Sequence, residues 1–392
     1  MARVGKAEVV LKVLVSPCAY KGTLSAWELC VAIAEGIRDA LPDAEIIPAP
    51  IADGGDGTLD ALYGAIYGRL GETAQNLESR KPGEDGFAFV DVRGPIDNPV
   101  HAKWLRLGDS AVVELASASG LALMPGQQLS ALDAHTFGLG QVILDALSSN
   151  PKNLYICVGG SASTDGGAGM LAALGAKFLD KDGNAVGLGG GRLCAVESCD
   201  LSALETLLQQ SKLDSIKVAV DVVNPLNGDN GAAAIFGPQK GASAEDVRTL
   251  DGCLSHYAGV LEQATQRNCR HLPGSGAAGG TAFGAATAMR AELISGFSWL
   301  AFIMNLEAKV QDCDLVITAE GSLDSQSISG KAIGELSKLC AKHNKPLWAV
   351  PAVAQMDLDW QALGVHRVEP TAVNGKPANA LSVRNTVRSL CC

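Results

Sequence analysis

The chain has 392 residues, 47% hydrophobic and 19% charged, which suits about two globular domains and excludes a largely disordered polymer. Its 42 acidic side chains outnumber 31 basic ones, giving a formal charge of −11, and no Lys/Arg stripe stands out, so nucleic acid is excluded as a partner. The 11 cysteines are scattered without a CxxC pair, as expected of reduced thiols rather than a disulfide framework or a zinc site. With no signal-peptide apolar region, and a longest uncharged run (272–289) made mostly of small residues, the expectation is a soluble cytoplasmic protein without a membrane span.

In chain order, 9–15 is an apolar, β-branched strand that runs into Ser16-Pro17-Cys18-Ala19-Tyr20-Lys21-Gly22. Ser25-Ala26-Trp27-Glu28 has capping-box spacing, and Leu29, Ile33, Ile37 and Leu41 then line one helical face up to Pro42. A second strand at 44–50 delivers Ala52-Asp53-Gly54-Gly55-Asp56-Gly57-Thr58 to a second helix. Strands alternating with helices predict a parallel sheet. Residues 87–115 change pattern. Turns at Gly94-Pro95, Asn98-Pro99 and Gly108-Asp109 predict an antiparallel meander.

Alternation then resumes, with a helix near 136–147, a strand at 154–158 and the glycine-rich loop 159–169. A strand at 217–220, a long loop and a helix over 247–264 follow. The last third reads as a helix at 298–311, a strand at 314–318, a helix at 331–343 and an apolar strand at 346–353. This order fits one α/β domain split by an inserted one. Residues 1–75 plus 285–392 are expected to form the outer domain and 76–284 the inserted α/β domain.

Five predicted strand ends carry an acid, a Lys or a glycine pair, in loops 16–23, 50–58, 159–169, 221–241 and 318–331. Ligands of open α/β sheets bind at the carboxyl ends of strands. These loops hold Lys21, Asp53, Asp56, Asp165, Asp221, Lys240, Glu320, Asp324 and Lys331. Phosphoryl transfer needs that inventory: backbone N–H groups and Lys for phosphate oxygens, carboxylates for Mg²⁺ and an acid to orient a hydroxyl. Gly54, Gly55, Gly159, Gly160 and Ser161 are the candidate phosphate-facing backbone, with Lys240, Glu320 and Lys331 as candidate substrate or phosphate contacts. Each piece alone has an ordinary reading, as a turn, a helix cap or a solvated Lys.

Other motifs fail. Gly274-Ser275-Gly276-Ala277-Ala278-Gly279 matches GxGxxG, but no strand precedes it and no acid stands about 20 residues on, so an NAD-dependent dehydrogenase has little support. Gly330-Lys331-Ala332 lacks P-loop spacing, no HExxH is present, and no GxSxG elbow marks a hydrolase.

Tyr20 to Ala26, Ala52 to Thr58, Glu114 to Leu121, Gly159 to Gly167, Asp221 to Pro225, Phe236 to Gly241, Gly274 to Gly280 and Thr318 to Lys331, in this order, resemble the class I (bacterial type-1) glycerate kinase family over roughly residues 10–355. The resemblance implies a flavodoxin-like domain with a second α/β domain inserted and the active site between them. It also implies ATP-dependent phosphorylation of D-glycerate with Mg²⁺, usually to 2-phosphoglycerate. On this reading some of Asp53, Asp165 and Asp324 hold the metal, Asp221 is the catalytic acid that takes the hydroxyl proton, and Lys21 is the second candidate catalytic residue, a contact for phosphate or the glycerate carboxylate. The family's first loop usually reads Pro-Asp-Ser-Phe-Lys-Gly, whereas Cys18, Ala19 and Tyr20 stand here, and Ala319 replaces a usual Gly. The missing acid and hydroxyl keep open two alternatives: a paralogue that binds nucleotide or a phosphorylated metabolite, and a kinase of a related hydroxy acid. The oligomeric state is not legible.

Overall fold

The computed structural model describes residues 10–70, 85–325, 332–372 and 377–392. In chain order its strands are β1 Lys12–Val15, β2 Glu45–Pro48, β3 Gly86–Arg93, β4 Pro99–Leu107, β5 Ser110–Glu114, β6 Asn153–Cys157, β7 Lys177–Leu179, β8 Ser198–Asp200, β9 Ser215–Val220, β10 Glu292–Ser295, β11 Leu315–Thr318, β12 Ser322–Leu323, β13 Leu347–Ala349, β14 Val353–Ala354 and β15 Arg367–Val368. The chain divides into two compact units, one of Met1–Ala52, Asp60–Leu77 and Leu300–Cys392, the other of Asp53–Leu59 and Glu78–Trp299.

In the first unit the sheet runs β2-β1-β11-β13-β15, with every pairing parallel. Numbered within this sheet the order is 2-1-3-4-5, the flavodoxin-like order. Leu14, Val15, Val316 and Ile317 are fully buried, as the apolar runs of strands covered on both faces require. Helix α1 (Ala26–Ala40) starts on the expected capping box: the Ser25 side chain accepts from the Glu28 N–H, and the Glu28 carboxylate accepts from the Ser25 N–H. Trp27 is buried against helix α2 (Thr58–Tyr67), where a Cβ on Gly64 would lie 2.7 Å from the indole.

The polar C-terminal tail, without a legible architecture in sequence, forms the helix Ala380–Cys391, capped by Asn379. It is fastened to α1 by Arg384, which pairs with Glu35 and Asp39. The helix expected at 298–311 is two helices, Gly296–Ile303 and Leu306–Asp312, because Asn305 takes a left-handed conformation (φ 51°) that Asn tolerates. The strand expected at 346–353 is likewise interrupted, at Pro351, which has no N–H for the ladder; Val353–Ala354 pairs instead with β12.

In the second unit the sheet order is β10-β9-β6-β5-β4-β3. The expected meander is present as antiparallel β3-β4-β5, joined by turns with positive φ at Asp97 and Gly108; β5, β6, β9 and β10 are parallel. Leu139, Ile143, Leu154, Ile156, Val218 and Phe283 form its core, with the long helix Ala244–Thr265 supplying Leu254 and Tyr257. The GxGxxG run is a packing device. Ala278, Gly279 and Gly280 all have positive φ, and a Cβ on Gly279 would lie 2.6 Å from Thr164 Cα. Cys194 and Cys253 form a disulfide, contrary to the expectation of thiols throughout; residues 59 apart come within bonding reach only through tertiary packing. Among the described residues no helix is long and apolar enough to cross a membrane.

Candidate functional site

Because β5, β6, β9 and β10 are parallel, their carboxyl ends share one edge of the second unit's sheet. Glu114, Gly159, Asp221 and Gly296 stand at or just beyond those ends. The 53–59 segment lies across this edge: the Gly159 N–H donates to the Gly54 carbonyl at 3.2 Å, and a Cβ on Gly54 (φ +82°) would sit 3.1 Å from Ala219 Cβ. A Cβ on Gly159 would collide with Gly55 Cα. The glycines expected as a phosphate cradle are therefore required first for close backbone approach. The Gly55 N–H is itself used, donating to Asp53 Oδ1 at 3.1 Å.

Asp221 is a strongly perturbed acid on this edge. Its Oδ1 accepts from the Gly296 N–H at 3.0 Å and the Ser295 hydroxyl at 3.3 Å, whereas its Oδ2 is buried without a hydrogen-bond partner among the described residues. Burial first, and the neighbouring Asp53 carboxylate second, push its pKa up to about 7 against the bonds that favour the charged form. Such an acid exchanges a proton readily at neutral pH. A Cβ at Gly296 would lie 2.5 Å from the Asp53 carbonyl oxygen and 2.7 Å from Asp221 Oδ2, so only glycine leaves room for both there.

Asp165, within the 159–169 loop, and Lys240, which reaches it from the turn 238–240, brace that loop. Asp165 is fully buried; its Oδ2 accepts from the Thr136 N–H and hydroxyl, both at 2.8 Å, and from the Gly169 N–H, while Oδ1 accepts from the Gly167 N–H. The carboxylate expected to bind metal thus braces its own loop, because the chain already supplies it with donors. Lys240, 2% exposed, donates to Ser161 Oγ at 2.8 Å and to the Ser163 carbonyl. Burial pushes its ammonium down to about 7, against the pull of Asp165. Between these struts, Ser163 Oγ and Thr164 Oγ1 are buried without a partner among the described residues.

In the first unit, the loops after β1 and β11 leave neighbouring strands at the point where the sheet order reverses, the ligand position of doubly wound sheets. Lys21 is exposed at the tip of the first loop. Tyr20 anchors that loop, its buried hydroxyl meeting the Val350 carbonyl and Thr371 Oγ1, and burial drives its phenol well above the usual range. The Cys18 N–H donates to the Ala319 carbonyl at 2.7 Å, so the altered positions 18 and 319 are backbone-paired, and Ala319 is fully buried. Glu320 is buried, and at Gly321 a Cβ would lie 3.8 Å from the Lys21 nitrogen, which brings the two loops together. Asp324 follows β12 and is half-buried. Lys331 lies outside the described residues.

Sequence reasoning assigned no role to Thr136, Ser295, Gly296 or Glu114. Glu114 had a signal, an acid at the end of a β-strand. The other positions had none, since their partners Asp165 and Asp221 are 29 and about 75 residues away.

A family model described as the glycerate kinase family matches residues 13–381. The chain is 42% identical over 339 residues to a glycerate 2-kinase of Escherichia coli (strain K12), covering 86% of this chain and 84% of that one. It is 39% identical over 349 residues to a glycerate kinase of Bacillus subtilis (strain 168), covering 88% and 86% respectively. A crystal structure from Salmonella typhimurium LT2 assigned to glycerate kinase 2 superposes with a TM-score of 0.79 at 35% identity, covering 97% of each chain.

Proposed function

The chain belongs to the glycerate kinase family, and from that premise we propose that it transfers the γ-phosphoryl group of ATP to D-glycerate, with Mg²⁺ and with 2-phosphoglycerate as product. The carrying observation is Asp221: a buried carboxylate oxygen without a partner, on an acid pushed up to about 7, at the carboxyl edge of a parallel sheet. Asp221 accepts the proton of the attacking hydroxyl as the new O–P bond forms. Its other oxygen, tied to the Gly296 N–H and the Ser295 hydroxyl, fixes the direction of the open one.

The remaining demand is for positioning and for neutralising anionic oxygens. The Gly160 and Ser161 N–H groups of the 159–169 loop are the donors of this unit for phosphate oxygens. Lys240 acts from behind, holding Ser161. Within the first unit, Lys21 is an exposed cation on the loop that approaches Gly321. The Asp53 carboxylate, next to the partnerless oxygen of Asp221, offers the hard oxygen donors that Mg²⁺ prefers. When bound, Mg²⁺ supplies charge neutralisation at the phosphate oxygens. The similarity to a relative named glycerate 2-kinase in Escherichia coli supports phosphorylation at the 2-hydroxyl.

The test is coupled ADP release from ATP–Mg²⁺ with D-glycerate, L-glycerate and hydroxypyruvate in parallel, and ³¹P NMR of the product. Turnover of D-glycerate to a 2-phosphate, lost in Asp221→Asn, is the expected result. Silence on all three substrates overturns the proposal.

A further inference from the structure

Helix α2 begins without a side-chain cap of its own: Gly57, with φ +88°, stands immediately before Thr58 and has nothing to offer the first N–H groups. Those groups are served from elsewhere in the second unit. Glu114, at the end of β5 and 4% exposed, accepts from the Gly57 N–H at 3.0 Å through Oε1 and from the Leu59 N–H at 3.1 Å through Oε2. A carboxylate is the favoured group at a helix N-terminus, because the free N–H dipoles point at it. With both oxygens engaged, the start of α2 is a protein anchor and not an open anion site.

The anchor continues toward the reacting edge. Thr58 Oγ1 donates to the Gly55 carbonyl at 2.6 Å, and the Gly55 N–H donates to Asp53 Oδ1 at 3.1 Å. Glu114 is thereby linked through an unbroken series of hydrogen bonds and short backbone steps to the carboxylate that neighbours Asp221. Such bonds transmit position because each leaves its partner little rotational freedom.

We infer that Glu114 is a positioning residue for the phosphoryl transfer proposed above: it pins the 53–59 segment to the end of β5 and so holds the Asp53 carboxylate beside Asp221. The inference rests on that functional reading for its kinetic consequence, but the anchoring itself does not. Glu114 accepts from the Gly57 and Leu59 backbone N–H groups, and through that segment its effect on turnover reaches Asp53.

A double-mutant cycle separates this role from a general stabilising one. Glu114→Gln keeps the shape but turns an amide NH₂ toward one of the two donors. Its kcat is expected to fall about 10- to 100-fold, as is typical for partners that orient a ligand-bearing carboxylate. The KM for D-glycerate should stay within about twofold, and Glu114→Asp, which retains the charge, should recover part of kcat. In Asp53→Asn/Glu114→Gln the second substitution should add no further loss beyond Asp53→Asn alone. Thr58→Ala breaks the same series farther along and should likewise not compound with Glu114→Gln. Full multiplicative losses in both double variants would overturn the inference.

Hydrogen exchange of the Gly57 and Leu59 amides gives the second readout. It should accelerate at least tenfold in folded Glu114→Gln, and unchanged exchange would refute the anchor. Should the wild type fail to turn over D-glycerate, the functional reading falls, while the exchange experiment still decides whether Glu114 pins the segment.

Discussion

Asp221→Asn should cut turnover sharply and yet make the free protein more stable at alkaline pH. In the folded chain the carboxyl is raised from its ordinary 3.8 to about 7, by burial first and by Asp53 second. The folded state therefore holds this proton more tightly than the unfolded state. Stability is fully retained below about pH 4, declines as the pH climbs through 7, and bears the whole cost above it. Each tenfold change in proton affinity is worth about 1.4 kcal/mol, which sets a ceiling of ~4 kcal/mol above pH 7.

Partial solvation of the half-buried group brings the expected difference to ~2 kcal/mol. Asparagine removes that cost. Its carbonyl can still accept from the Gly296 N–H, and its amide replaces a partnerless oxygen with a donor facing Asp53. Thermal unfolding without nucleotide or metal should show an Asn variant equal to wild type near pH 4 and about 4–8 °C higher in midpoint at pH 8. Turnover of the same variant should fall about 10²- to 10⁴-fold, with KM little changed. A variant no more stable than wild type at pH 8 would refute the reasoning that Asp221 is held ionised at a cost.

Gly296→Ala places a Cβ 2.5 Å from the Asp53 carbonyl oxygen and 2.7 Å from Asp221 Oδ2 and should lower kcat at least tenfold by displacing the two, with a near-native circular dichroism spectrum; undiminished kcat would contradict the assigned packing. Lys240→Met leaves Ser161 Oγ and the Ser163 carbonyl without their buried donor and should cost about 1–3 kcal/mol, read as a lower urea midpoint. Thiol titration of the unfolded protein should find two fewer groups before reduction than the 11 found after it, and Cys253→Ser should give the same count before and after.

Local signals were sufficient wherever neighbours in sequence determine the outcome. The Ser25–Glu28 capping box starts α1 because its partners are three residues apart, and the turn residues of 94–109 set the meander for the same reason. The alternation of strands and helices also predicted a parallel sheet, and acids at strand ends singled out Asp53 and Asp221, since both follow from residue order and chemistry alone.

What the sequence left open depended on distance. Asp165 and Asp221 are both acids in strand-end loops, indistinguishable as letters. Folding surrounds the Asp165 carboxylate with N–H and hydroxyl donors from Thr136, Gly167 and Gly169, and leaves one oxygen of Asp221 buried and bare. Lys240 reads as a solvated turn lysine until the fold buries it against Ser161. Only tertiary packing sets the desolvation and the partners of a charged group, and these decide whether it braces the structure or acts on a substrate.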